Sequence, residues 1–150
     1  MGKVIGSALT VDTLTSDLDG SFCPYPKPRP RAFKKFERRF NDCLSIVVTE
    51  RQKLNLKPLP DVSWVYDQYP TVESHPPNLV ADLLKQHCTP REGAIQHGDL
   101  LCLRMGREAN LGMAYNQEGE IWVLYASENG ATHEPLHRRI IRCVESVWWI

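Results

Sequence analysis

Asn41-Asp42-Cys43-Leu44-Ser45-Ile46-Val47-Val48 is the stretch on which the reading of this chain turns. An aspartate in front of an apolar run accepts hydrogen bonds from the first orphan N–H groups of a helix, so Asp42 is read as an N-cap and Cys43 as the first helical residue. The helix dipole is most positive there. A thiolate at that place is stabilised, its pKa falls, and it becomes available as a nucleophile. A second reading stands beside this one. Unbridged cysteine is among the most buried residue types and behaves as a small hydrophobe, so Cys43 also reads as a core thiol at a capped helix start. Which holds depends on whether the rest of the chain supplies the partners a nucleophile needs.

The helix opened by Cys43 is expected to run to about Leu54. Val47, Val48 and Thr49 favour strand, but the cap and the polar run Glu50-Arg51-Gln52-Lys53 favour helix, and Asn55-Leu56-Lys57-Pro58-Leu59-Pro60 stops it. Upstream, Phe33, Phe36 and Phe40 recur at helical spacing within a short basic segment. Before that comes Cys23-Pro24-Tyr25-Pro26-Lys27-Pro28-Arg29-Pro30, with proline at alternate positions. Such a run favours extended polyproline II and cannot be a helix interior or a central strand. It reads as a stiff linker or as an arm lying along a neighbouring subunit.

Downstream, Asp61 to Pro77 carries Trp64, Tyr66 and Tyr69 and then His75-Pro76-Pro77, and reads as an irregular loop. Its aromatics suit core anchoring or a sugar-binding rim. Asn78 to Cys88 reads as a second helix capped by Asn78, with Leu79, Leu83 and Leu84 on its apolar side. The remainder reads as short strands between turns: Leu100–Met105, Asn110–Asn116, Ile121–Ala126, Ala131–Pro135 and Ile140–Trp149. Helices first and strands afterwards give an α+β domain over residues 36–150, with helices packed on a roughly five-stranded antiparallel meander. Residues 1–35 form an arm outside it.

Composition sets bounds on function. Eighteen basic residues balance eighteen acidic ones, which gives no electrostatic footprint for nucleic acid or an anionic membrane. The charge is uneven along the chain. Lys27 to Arg39 holds seven basic residues and one acid, whereas Pro58 to Leu84 holds acids and no Lys or Arg. This reads as solvated faces or as contact with a partner protein. Five cysteines, an odd number without a C-x-x-C pair, argue against a secreted disulfide framework. His87-Cys88, His97 and Cys102 lack the paired spacing of a zinc site, so no metal or cofactor is expected. No apolar h-region opens the chain and no stretch is long enough to span a membrane.

Four features follow one another in order: Asp42-Cys43 opening a helix that ends near Leu59-Pro60; a second helix; Gly98-Asp99-Leu100-Leu101; and Asn110-Leu111-Gly112-Met113-Ala114-Tyr115 before a hairpin. Glu134-Pro135-Leu136 and the aromatic end Trp148-Trp149 follow. This resembles the NlpC-type family of cell-wall peptidases, which have a papain-like fold, and most of all its phage tail-tip branch. The resemblance covers roughly residues 36–150 and implies Cys43 as nucleophile, a histidine at the position of Asn110, and a third polar residue at Tyr125. Neither position holds a histidine here. An amide does not take a proton near neutral pH, and cysteine peptidase chemistry needs a base within hydrogen-bond reach.

His133 is a substitute base available by strand register. The family topology places His97 and His137 away from the cysteine, while His75 lies in the variable loop and His87 ends the second helix. The resemblance thus implies a structural component of a phage tail or baseplate, made in the host cytoplasm and carried in the virion, on a peptidase-like domain without its base. Its partners would be other tail proteins met through residues 1–35. The alternatives are an active murein endopeptidase that uses His133, and a non-catalytic module that binds peptidoglycan peptides in a cleft rimmed by Trp64, Tyr66 and Tyr69.

Overall fold

The computed structural model describes residues 42–69, 76–127 and 130–150. The arm and the short basic helix expected over 33–40 lie outside the described residues. In chain order the elements are α1 (Cys43–Lys53), α2 (Trp64–Gln68), α3 (Leu79–His87), β1 (Thr89–Pro90), β2 (Leu100–Arg104), β3 (Ala109–Gln117), β4 (Glu120–Ser127), β5 (Gly130–Pro135), α4 (Arg138–Ile141) and β6 (Val144–Trp149). The α+β class expected from the sequence is present, with one antiparallel sheet in the order β1-β6-β2-β3-β4-β5.

That sheet has six strands, not five. The extra one is Thr89-Pro90, which pairs with Trp149 and Trp148 at the edge. A proline that stops a helix is also tolerated on an edge strand, where its missing N–H faces outward. The expected last strand over 140–149 is divided. His137 Nδ1 accepts the Arg139 N–H at 3.2 Å and starts the single turn α4. Cys143 N–H donates to Ile140 O at 2.8 Å and closes that turn before β6 begins. The β-branched pair Ile140-Ile141 reads as strand, but burial of Ile140 beneath the sheet holds it in a turn instead. Nor is the sheet a plain meander. β2 to β5 follow one another, and then β6 crosses back to pair with the free edge of β2, Leu100 opposite Trp148 and Leu101 opposite Val147.

The segment read as an irregular loop contains α2. Asp61 Oδ1 accepts the Ser63 N–H at 3.0 Å, and Val65 is fully buried against the core. Asn78 stands at the N-cap position of α3 without a side-chain capping bond. Its Oδ1 instead accepts from Arg104 at 2.8 Å, and Arg104 also grips Glu145 of β6 with two bonds of 3.0 Å.

The turn before β2 locks helix layer to sheet. Gly98 has φ +89°, a left-handed conformation that glycine adopts without steric penalty. Its carbonyl accepts from Arg51 of α1 at 2.7 Å, while Arg51 Nε donates to Lys57 O at 2.6 Å. The fully buried Asp99 carboxylate receives both Arg91 donors at 2.9 and 3.0 Å and the Gln96 N–H at 2.9 Å. The backbone of Gly98-Asp99 pairs with Ala114 of β3 in both directions at 2.8 Å.

Two apolar layers result. Toward the helices lie Leu44, Ile46, Val47, Val80, Leu83, Leu100, Leu111, Met113 and Leu124. On the opposite face lie Leu101, Leu103, Ala114, Val123, Tyr125 and Ile140. Gly112 belongs to that second face by register. A Cβ built on it would stand 2.7 Å from Leu103 Cδ1 and 3.2 Å from the Leu124 carbonyl oxygen. The Gly112→Ala variant should therefore be overpacked and lose about 1–3 kcal/mol of stability in urea unfolding. A stability equal to that of the parent would show that the strand has room to spare.

Candidate functional site

The start of α1 is built as its sequence requires. Asp42 is extended, with ψ −176°, and its Oδ1 accepts the Leu44 and Ser45 N–H groups at 3.0 and 3.1 Å. The same oxygen accepts the Tyr66 hydroxyl of α2 at 2.8 Å. Ser45 Oγ donates to the Asp42 carbonyl at 3.1 Å. One carboxylate thus caps α1 and ties the two helices together. Cys43 follows it as a buried residue, only 1% exposed, in the apolar layer between helices and sheet.

Strand alternation decides which sequence-expected residues meet it. In β3, Ala109, Leu111, Met113 and Tyr115 belong to the helix-facing layer with Cys43. Successive side chains point to opposite faces, so Asn110 points away, and its register partner is Leu103 of the outer layer. Tyr125 lies in the outer layer as well, opposite Gly112. The structure therefore puts Asn110 and Tyr125 across the sheet from Cys43. The β3 residue at that level on the cysteine's own face is Leu111, which has no proton chemistry.

His133 does lie on the helix-facing side, opposite Leu124 in the register. Its Nδ1 is 2.6 Å from the Tyr115 hydroxyl, and the two rings meet edge-on with centroids 5.4 Å apart. Burial, reinforced by the negative field of Glu50, pushes the Tyr115 phenol far above its ordinary range. It therefore stays protonated. His133 is thus engaged with Tyr115.

The three aromatics expected as a cleft rim differ in role. Trp64 is exposed. Tyr66 is the tether to Asp42. Tyr69 is partly buried against the core, 6.4 Å from the Trp64 ring. Between α1 and α2 runs a groove of about 390 Å³, lined among others by Ser45, Val48, Thr49, Asp61 and Tyr66. An apolar cavity of about 30 Å³, which shares Leu44, Leu59, Pro60 and Val62 with the groove, is bordered also by Leu83, His87 and Cys88. Cys43 borders neither.

The remaining histidines and cysteines are spread over the fold. His97 Nδ1 accepts the Asn116 N–H at 2.8 Å. The Cys102 thiol is pushed up to about 11, chiefly by burial and then by its hydrogen bond to Glu145. Among the described residues no group of three His, Cys, Asp or Glu side chains is arranged to hold a metal ion. Among them, too, no helix is long and apolar enough to cross a membrane.

Sequence reasoning missed the role of Glu134. Its carboxylate accepts from the Tyr125 hydroxyl, from His137 Nε2 at 3.0 Å, and from Arg139. The three donors come from β4, from the β5–α4 connection and from α4. The sequence signal was Glu134-Pro135-Leu136 itself, but nothing local identifies the three donors. Burial raises the Glu134 pKa, and the hydrogen bonds from Tyr125, His137 and Arg139 outweigh that effect and hold it below the ordinary carboxylate value. Comparison with protein-family models, curated proteins and solved structures gives no match for this chain.

Two outcomes follow from this geometry. Asp42→Ala removes the cap and the Tyr66 acceptor together and should lower stability by about 1–2 kcal/mol in thermal or urea unfolding. Tyr66→Phe should reproduce only part of that loss. For Glu134 the folded pKa is depressed, so its contribution is complete above the unfolded value of about 4.3 and is lost as pH falls through the lower folded value. Glu134→Gln should flatten the acid limb of a stability-versus-pH curve in that window. An unchanged acid limb would mean that the network is not coupled to folding.

Proposed function

We propose that this chain is a non-catalytic building block of a phage tail tip or baseplate, formed on a papain-like domain of the NlpC type that has lost its peptidase chemistry. The ordered features from Asp42-Cys43 to Trp148-Trp149 support the family. The observation that carries the loss of chemistry is the setting of Cys43: it is 1% exposed within an apolar layer, and Asn110 and Tyr125 stand across the sheet. A helix N-terminus favours a thiolate by less than about 1 kcal/mol when exposed. That does not replace an imidazole that must hold the thiolate and protonate the leaving amine. Fold and function separate readily, and a domain brought to a particle for wall digestion can persist as packing material.

Two other readings each have one observation in their favour. His133 on the same side of the sheet as Cys43 favours an active murein endopeptidase. The groove between α1 and α2 favours a module that binds wall peptides. One set of measurements separates them. Purified protein incubated with peptidoglycan should release no peptide stems beyond a Cys43→Ala control, and Cys43 should titrate as an ordinary or raised thiol. Muropeptide fragments should give no heat on titration, and removal of residues 1–32 should abolish incorporation into particles whereas Cys43→Ala should not. Stem release lost in both Cys43→Ala and His133→Ala would overturn the proposal in favour of the peptidase. Saturable muropeptide binding without release would overturn it in favour of the binding module.

A further inference from the structure

α4 is a basic knob held firmly on the outer face of the sheet. Ile140, 1% exposed, anchors it in the outer apolar layer, His137 caps its start and the Cys143 N–H closes its end. Arg138, Arg139, Ile141 and Arg142 are all exposed. At 53%, Ile141 is the most exposed large apolar side chain among the described residues. Arg139 is engaged by Glu134. Arg138 and Arg142 make no ion pair among the described residues. A guanidinium presents a planar fork that matches a carboxylate, and Ile141 is better placed against an apolar group than in water. The knob therefore fits carboxylates grouped around an apolar side chain. Its three arginines fall short of the 4–8 basic residues of an anionic-lipid site, and a chain with eighteen bases against eighteen acids lacks the footprint of a nucleic-acid binder.

The chain itself carries a stretch of that chemistry. Residues 4–26 hold Asp12, Asp17 and Asp19 and no Lys or Arg, and Leu18 stands between two of the aspartates. The stretch lies outside the described residues. Between Asp19 and Asp42, where the described fold begins, stand 22 residues. A chain of that length spans up to about 75 Å, against a radius of gyration of about 13 Å for a domain of roughly 100 residues. The acidic stretch can therefore reach α4 of its own domain.

We infer that the acidic stretch of the arm docks on α4 of its own chain, with Asp17 and Asp19 against Arg138 and Arg142 and Leu18 against Ile141. Exposed ion pairs are individually weak. A weak contact is still populated when the two partners are tethered, because a tethered segment meets its own domain at an effective concentration of about a millimolar. That is what commits the site to the chain's own arm and not to a second copy. α4 is already ordered, so docking does not have to order it. The contact keeps Ile141 from water and the arm from a neighbour until a stronger acidic partner displaces it. The inference does not rest on the assembly reading. It concerns the isolated chain, whereas that reading is tested by incorporation into particles, so the two can fail separately.

The test is hydrogen exchange of the full-length protein read by mass spectrometry. At about 0.01 M salt, where charges act over roughly 30 Å, the amides of residues 11–22 should exchange about threefold or more slowly than near 1 M, where charges act over roughly 3 Å. The slowing should stay the same over about a hundredfold range of protein concentration, as a tethered contact requires. Arg138→Glu with Arg142→Glu should abolish it, as should Asp17→Lys with Asp19→Lys, and all four substitutions together should restore it. Exchange equally fast at low and high salt overturns the inference. So does slowing that grows with concentration, the outcome of contact with a second copy. So does slowing that survives Arg138→Glu with Arg142→Glu, the outcome of pairing with the basic residues of 27–39. Where the arginine variant loses the parent's far-ultraviolet circular dichroism, Asp17→Lys with Asp19→Lys decides, and unchanged slowing in it overturns the inference.

Discussion

β3 is hydrogen-bonded to β2 on one side and β4 on the other, and this fixes its pleat. A strand held on both edges cannot rotate about its axis, so Leu111, Met113 and Tyr115 must face α1 while Asn110, Gly112 and Ala114 must face away. Slipping either ladder by one residue would exchange the two sets and put polar Asn110 and Asn116 into the helix-facing core. The site is read from this one constraint. It gives Cys43 apolar companions, keeps Asn110 and Tyr125 on the far side, and leaves His133, one strand beyond β4, on the cysteine's side of the sheet.

The polar groups inside the fold work as fasteners between elements. Asp42 joins α1 to α2 through Tyr66, Asp99 joins β2 to Arg91 next to β1, and Glu134 joins β4, β5 and α4. Each is a carboxylate that meets several donors, which is how a buried or half-buried charge becomes tolerable. These carboxylate networks hold elements in register, and Tyr125 takes part in one of them. The resemblance gives it the place of a third catalytic partner, and its hydroxyl instead donates to Glu134 on the opposite face.

Some of this was readable in the sequence because it is local. Capping depends on a residue and the three that follow it, so Asp42 was legible as the cap of α1. Strand and turn chemistry depends on adjacent residues, so the four strands from Leu100 to Pro135 and the helices-then-strands order were legible too. Errors arose where a distant partner overrode local preference. Asn78 is a good cap by type, but Arg104, 26 residues away, draws its side chain. Thr89-Pro90 reads as a helix stop and becomes an edge strand only because β6 returns beside it. Ile140-Ile141 has the composition of a strand and is held in a turn by the burial of Ile140.

The sequence by itself determined the capped helix at Cys43, the α+β order, the Gly98-Asp99 turn and the absence of histidine at Asn110, since each follows from backbone chemistry within a few residues or from residue identity alone. Only the tertiary structure decided which face of the sheet each candidate occupies and which donors meet Glu134. Those depend on ladder register and on packing between residues far apart in the chain. An alternating strand pattern names two faces but cannot say which one a helix will cover.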